Sequence, residues 1–407
     1  MTQLSRNRNY QLLWGSQALA EIGFSASLLA FPLLVLTVTR SPIAAGVVMG
    51  IDSATQLVVG LPAGALADRW DRKKLMLGCE AAQAVVVTVL VVTLWLDLAG
   101  LPLMAAVAMV MGACRALFEP AEEASLPRVV PPEQVGQAVA LNSARTYIGQ
   151  MSGAALGGLL YGVRVWLPFA LDAVTHALSF VGLLFLRLPA QERKPAPIGQ
   201  LHLEIVEGLR WLVRQRLLRV IGACAVGLNF FFYAYYLIVL SVAQQRGVPE
   251  AQIGLMAAAL GVGGMVGALA VPLLHKVLSP YLSIIGVFWA LAALTPVAIV
   301  LDNGYLIGAL FGGMAFLTPT ANTTIMTYQL LLTPDELRGR LAGVMSVLGG
   351  IAATAGPAVG GLLVQLAPGG AAVLICTAGI TVLAVFATLS KSLQSFPRAE
   401  AAESLTG

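Results

Sequence analysis

Apolar stretches of roughly 18 to 25 residues recur from one end of this chain to the other, each long enough as a helix to cross about 30 Å of hydrocarbon. That recurrence leaves few folds open, because backbone groups inside a bilayer must bond within a helix or around a closed barrel. A barrel would alternate apolar and polar residues over segments of about ten, whereas these runs are continuous. Twelve are found, at approximately 11–38, 43–67, 74–96, 101–122, 137–161, 165–187, 219–244, 251–275, 281–301, 304–330, 339–365 and 370–391. Composition agrees, with 58% hydrophobic and 11% charged residues in 407 and a mean hydropathy of +0.84. The expectation is an all-α polytopic membrane protein with twelve transmembrane helices. The first run follows Arg6 and Arg8 but is too long for a signal-peptide core, so a retained helix is expected there.

Orientation follows from where the cations fall. With the N-terminus inside, the inner loops and ends hold 19 of the 24 Lys and Arg residues, the outer side holds Arg40, Arg164 and Arg246, and Arg115 and Arg145 lie within spans. Cytoplasmic loops carry the basic excess in bilayer proteins, so a cell-membrane protein with both termini cytoplasmic is expected. Scattering of the basic residues among short loops also argues against a nucleic-acid partner, which would need a basic face. In the longest connection, PAQERKPAPIGQ reads as a proline-marked linker. In LHLEIVEGLRWLVRQRLL, Leu203, Val206, Leu209, Trp211 and Leu212 recur at helical intervals. The expected organisation is a six-helix bundle at 1–188, a cytoplasmic linker with an amphipathic surface helix at 189–218, and a second six-helix bundle with a short tail at 219–407.

The halves repeat one another. Pro132 to Val135 match Pro334 to Leu337 at an offset of 202, and the run from Gly153 through Gly157 and Gly158 matches Gly356 through Gly360 and Gly361 at 203. Two matches at nearly one offset, in the fifth and eleventh spans, point to a duplicated six-helix unit, an organisation common in secondary transporters.

Between the second and third spans stands GALADRWDRKKLM, Gly64 to Met76, where Asp68, Arg69, Asp71, Arg72, Lys73 and Lys74 crowd between apolar runs. It resembles the signature loop of the major facilitator superfamily, G-x-L-a-D-R-x-G-R-[RK], with Asp71 in place of the second glycine. In the fifth span, Gly149, Gly153, Gly157 and Gly158 resemble the antiporter motif G-x-x-x-G-P-x-x-G-G, with Ala154 where proline is usual. FEPAEEASLPRVVPPEQ after the fourth span looks like the branch containing macrolide-efflux and siderophore-export proteins. The resemblance implies a cavity lined by spans 1, 4, 7 and 10, and a charged latch at the loop. There Gly64, Asp68, Arg69, Arg72 and Lys73 would meet Glu122 or Glu123, with Asp68 capping a helix and pairing with Arg72.

Charges at bilayer depth are expensive and each needs a reason. Glu21 lies roughly 15 Å into the first span at 1.5 Å per residue and shares a face with Gln17 and Ser25; it is the leading proton-coupling candidate. Asp52 reaches a similar depth in the second span, either as a second coupling carboxylate or as a capped structural acid. Arg115 and Glu119, four apart, together with Arg145 form an intramembrane charge cluster that can satisfy itself as buried ion pairs. Asp172 and His176 share a face of the sixth span and are expected to satisfy each other. Asn229, Tyr233 and Tyr236 stripe the seventh span, and Asn322, Met326 and Gln329 the tenth; read as cavity lining, they suit an amphiphilic organic ligand. The alternative is ordinary helix packing.

No P-loop is present, and His176, His202 and His275 lie too far apart for a zinc site or a Ser-His-Asp set. Cys79, Cys114, Cys224 and Cys376 are widely spaced within apolar stretches and are expected to be inert packing residues. The expected function is therefore a monomeric, non-enzymatic transporter that needs no cofactor or metal. It would export a small amphiphilic molecule in exchange for protons by alternating access. An importer or facilitator on the same fold, and a non-transporting membrane sensor, are the rival readings.

Overall fold

The computed structural model describes residues 4–188, 201–367 and 370–394, with the backbone alone at Ala65, Asp68, 201–205, Leu330, Asp335, Glu336, Arg338 and Gly339. Its helices are α1 (Arg8–Thr39), α2 (Pro42–Arg69), α3 (Arg72–Trp95), α4 (Leu101–Val129), α5 (Val135–Val163), α6 (Leu167–Leu184), α7 (Leu201–Arg214), α8 (Arg216–Gln245), α9 (Glu250–Val277), α10 (Pro280–Leu294), α11 (Gly304–Leu331), α12 (Asp335–Leu366), α13 (Ala371–Leu389) and the short α14 (Lys391–Gln394). No strand occurs among the described residues. The proline-marked segment of the expected linker, up to residue 200, lies outside them.

Local chemistry sets the boundaries. Ser41 and Ser279 accept hydrogen bonds from the first turns of α2 and α10, each followed by proline at the first helical position, where the missing N–H costs nothing. Asn7, Asp71 and Asn303 cap α1, α3 and α11 in the same way. Arg40 closes α1 in the left-handed region, φ 51°, its N–H bonded to the Leu36 carbonyl. Prolines inside α1, α2, α4, α9, α11 and α12 leave those helices unbroken.

Among the described residues, eleven helices are long and apolar enough to cross a membrane. The twelfth expected span, 137–161, lies within α5, whose 29 residues extend roughly 43 Å. Length is sufficient there, but Asn142, Ser143, Arg145, Thr146 and Gln150 dilute its apolarity.

By contacts the chain divides into Met1–Ile198 with Pro249–Ala258, and Gly199–Val248 with Ala259–Gly407. In the first unit α1 packs on α5 and α6, α2 on α4, and α3 on α4 and α6. In the second α8 packs on α12 and α13, and α10 on α11 and α13. These four pairings repeat four of the first unit, and the counterpart of α2 on α4 is the close approach of Gly263 and Gly267 of α9 to Gly312 and Phe316 of α11. The same two-fold plan appears atom by atom in the glycine contacts. A Cβ at Gly153 would lie 2.6 Å from Ser25 Cβ and one at Gly157 2.6 Å from the Ala26 carbonyl oxygen; at Gly356 and Gly360 the corresponding groups are Tyr233 Cβ at 2.9 Å and the Ala234 carbonyl oxygen at 2.6 Å. Small residues let the backbones touch at these crossings.

α7 lies against α12. Leu212 is buried with Leu218, Leu341 and Val344, Gly208 abuts the Arg340 backbone, and Glu207 pairs with Arg340 at 3.0 Å. Val206, Leu209 and Val213 are exposed. A helix with one apolar side on protein and another uncovered suits a membrane surface.

Candidate functional site

The first unit holds a cavity of about 530 Å³ between α1, α3, α4, α5 and α6, and most of its polar wall consists of ionisable groups. Glu21 enters from α1 because α5 presents no side chain opposite it: a Cβ at Gly149 would lie 2.5 Å from Glu21 Cγ. Its carboxylate faces Arg115 at 3.9 Å, and Oε1 accepts no hydrogen bond. Arg115 is held more tightly by Glu119, at 2.8 Å one turn along α4, and its guanidinium stacks over the Phe24 ring at 4.5 Å. Glu21 is thus attracted to a cation that is already occupied.

Arg145 lines the same cavity with a partner of its own. It makes two hydrogen bonds to Glu122, 2.6 and 3.2 Å, with both side chains buried. Arg115, Glu119 and Arg145 line the same cavity, and the direct ion pairs within it are Arg115–Glu119 and Arg145–Glu122, the latter where α5 enters beside the next turn of α4 and Glu122 matches the guanidinium fork. The same pair occupies Glu122 in a role other than partner to the charged loop. Glu123 is exposed at the cavity rim.

Gln17 and Ser25 sit on the Glu21 face but turn into helix contacts. Gln17 donates to Glu80 Oε1 at 2.8 Å and to Ser179 Oγ at 3.1 Å, and Ser25 is buried against Gly153. Glu80 of α3 escaped the sequence reading. It is 1% exposed and faces His176 Nδ1 at 2.6 Å, so the expected Asp172–His176 pair is in fact a longer chain. His176 Nε2 lies 3.2 Å from Asp172 Oδ1, close but not aligned as a hydrogen bond. The signal that could have found Glu80 was a lone acid inside an apolar span.

Asp52 does not reach the cavity lining. It receives a hydrogen bond from Gln56 at 3.3 Å, and its backbone carbonyl abuts Gly112 where α2 crosses α4.

At the charged loop the work is divided. Asp71 caps α3 through the Lys74 N–H at 3.1 Å; the expected cap, Asp68, has its side chain outside the described residues. Arg72 donates to the Ala124 carbonyl on α4 at 2.6 Å and to Ala67 at 3.3 Å, while Lys73 donates to the Leu184 carbonyl at the end of α6 at 2.8 Å. Two basic residues therefore tie the loop to two helix ends. Gly64 has open space around it. Arg69 and Lys74 line a second cavity of about 590 Å³ whose floor includes Cys79 and Cys114, two thiols that pack in one core cluster despite their distance in sequence. All four cysteines are free and buried.

Gly149, Gly153 and Gly157 pack on α1, while Gly158 meets Gly254 at the start of α9. In the second unit Asn229 is exposed and bonded back to Ala225, Tyr233 packs beside Phe232, and Tyr236 stacks on Phe311 at 6.3 Å. Asn322 and Met326 on α11 are exposed, and Gln329 is half-buried with an unbonded Nε2.

A helical chain of two units, with ionisable groups sunk into the first and a basic loop tying helix ends together there, is matched by the sequence profile of the Major Facilitator Superfamily over residues 13–329. The chain belongs to that superfamily. It is 28% identical over 393 residues to the enterobactin exporter EntS of Escherichia coli O1:K1, covering 92% of this chain and 91% of that one. To the EntS of Salmonella paratyphi A it is 27% identical over 388 residues, with 91% of both covered. The uncharacterized MFS-type transporter YkuC of Bacillus subtilis is 26% identical over 192 residues, which span 44% of its length. Among solved structures, the nucleoside transporter NupG has a TM-score of 0.77 with 94% of this chain covered and 99% of that one. A bacterial homolog of the human lysosomal transporter Spinster has 0.74 with 97% and 98% covered. Each is 13% identical, so the likeness is one of fold. As a member of this superfamily the chain is a multi-pass membrane transporter of a small molecule.

Proposed function

We propose that this transporter exports a small amphiphilic organic molecule, of drug, antibiotic or siderophore type, in exchange for protons by alternating access. The observation that carries the reading is Glu21, a carboxylate at bilayer depth on a cavity wall, facing an arginine that another acid already engages. A group in that position can bind a proton or a cationic portion of substrate, and the change in its charge alters its attraction to Arg115. Export is supported by the full-length relationship to EntS, and the glycine stripe of α5 by its likeness to the antiporter motif. In this reading Asn229, Tyr233, Tyr236, Asn322, Met326 and Gln329 contribute aromatic and hydrogen-bonding surface to substrate, and the loop at Asp68, Arg69 and Arg72 gates the cycle. The protein works as a monomer in the cell membrane with both termini cytoplasmic and the two bundles as its moving parts.

Import or facilitation is the second reading, favoured by Ala154 where the antiporter motif has proline. Cells with and without the gene, given enterobactin and a macrolide in parallel, distinguish the two. Export predicts lower accumulation in the expressing cells. Higher accumulation of either probe would replace export with import.

A further inference from the structure

The chain Gln17, Glu80, His176 and Asp172 differs from the other ionic groups of the first unit in the nature of its cation. Glu21 faces Arg115, and Glu122 is held by Arg145; guanidinium keeps its proton in proteins, so those pairs cannot relay one through the base. Between Glu80 and Asp172 stands an imidazole, and among the described residues no lysine or arginine makes an ion pair with either carboxylate. Imidazole has two ring nitrogens that can gain a proton on one side and lose one on the other. Here each nitrogen faces a different acid, at 2.6 Å and 3.2 Å.

The surroundings bury these side chains while leaving one end on a cavity wall. From α1, Gln17 donates to Glu80 Oε1; from α6, Ser179 accepts from Gln17; Cys79 of α3 and Cys114 of α4 are the neighbouring titratable groups. Glu80, Gln17 and His176 belong to the wall of the Glu21 cavity. Asp172 does not, is fully buried, and neither of its carboxylate oxygens accepts a hydrogen bond. Its ion-pair partner among the described residues is His176, with Nε2 at 3.2 Å from Oδ1, so this buried carboxylate depends on the imidazole for its compensation.

We infer that Glu80, His176 and Asp172 form a second proton-exchange site, in which a proton enters from the cavity at Glu80 and is stored on Asp172. A proton arriving on Glu80 Oε2 moves to His176 Nδ1, and the imidazolium so formed gives its Nε2 proton to Asp172 Oδ1. Glu80 is then ionised again, the imidazole is neutral with its hydrogen on Nδ1, and Asp172 holds the proton. One proton has entered and no electron has moved. The reverse sequence returns it. The site deepens the proton-antiport reading and rests on it only for its purpose in transport.

Two spectroscopic measurements on purified full-length protein, both without any transported compound, test the site. Infrared difference spectra between neutral and mildly acidic pH should show a carboxyl C=O band in the wild type that is lost in Asp172→Asn and in His176→Gln. Nitrogen NMR of ¹⁵N-histidine protein carrying His202→Gln and His275→Gln, in which His176 is the remaining histidine, should show the ring hydrogen moving from Nε2 to Nδ1 over the same range. The second measurement leaves the site intact and so does not depend on the first variants folding. An Asp172→Asn spectrum matching the wild type, or a ring hydrogen that stays on one nitrogen, overturns the proposal. Because no substrate is used, failure here leaves the exporter reading standing, and failure of proton-coupled export leaves the titration result standing.

Discussion

Arg145 and Glu122 show how much a single buried pair decides. Both side chains are buried and joined by two hydrogen bonds, so removing one leaves the other as an unpaired charge. Glu122→Ala should cost about 3–5 kcal/mol, the usual penalty for breaking such a pair, whereas Glu122→Leu with Arg145→Met should recover most of the loss. Thermal unfolding in detergent checks this; equal destabilisation by the single and double variants would show that packing matters more than charge. Neither this pair nor Glu80–His176 was legible in the sequence. Glu122 and Arg145 are 23 positions apart, and Glu80 and His176 are 96 apart, on different helices. What the sequence does display is the pair on one helix, Arg115 and Glu119, because spacing of four reports a shared face. A partner across a helix crossing leaves no such periodic mark.

At the scale of elements, the crossing of α1 and α5 is set by glycines that a side chain would push apart. Gly153→Leu should abolish folded, monodisperse protein, since even a Cβ there collides with Ser25. Gly64→Ala, in open space, should leave yield and stability unchanged although the residue belongs to the signature loop. Size-exclusion profiles after membrane extraction separate the two outcomes. The contacts of Gly153 and Gly157 with α1 reappear at Gly356 and Gly360 against residues equally far along α8, so the repeat seen at offsets of 202 and 203 extends to α1 and α8 at 208. That offset was invisible in the residues themselves, because Ile22, Ser25 and Ala26 correspond to Phe230, Tyr233 and Ala234 and share little chemistry beyond the last. By the same register Glu21 corresponds to Asn229. The ionisable group thus stands in the first unit and a neutral amide in the second. Arg72→Ala should slow turnover by releasing the loop from α4, where its guanidinium now holds the Ala124 carbonyl. Initial transport rates of that variant at saturating probe, compared with Gly64→Ala, check this.

For the whole molecule, the distribution of basic residues predicts a topology that can be tested chemically. The native cysteines are buried, so single cysteines placed at exposed loop positions report sidedness. A membrane-impermeant maleimide added to intact cells should label Leu98→Cys and leave Trp70→Cys unlabelled until the cells are broken; the reverse pattern would invert the protein in the membrane. The fold was legible because hydrocarbon thickness acts on composition, residue by residue; the orientation that loop charge implies is what the labelling tests. Substrate was not legible, since the candidate contacts are scattered single side chains whose meaning depends on what they face. The most direct measurement of the central claim is collapse of an imposed pH gradient in inverted membrane vesicles, followed with a pH-sensitive dye while enterobactin, a macrolide or a lipophilic cation is added. The account predicts that at least one of these compounds dissipates the gradient in wild-type vesicles and that none does in Glu21→Gln vesicles containing equal amounts of folded protein. A gradient that none of them disturbs, or one that the Glu21→Gln protein dissipates equally well, would contradict it.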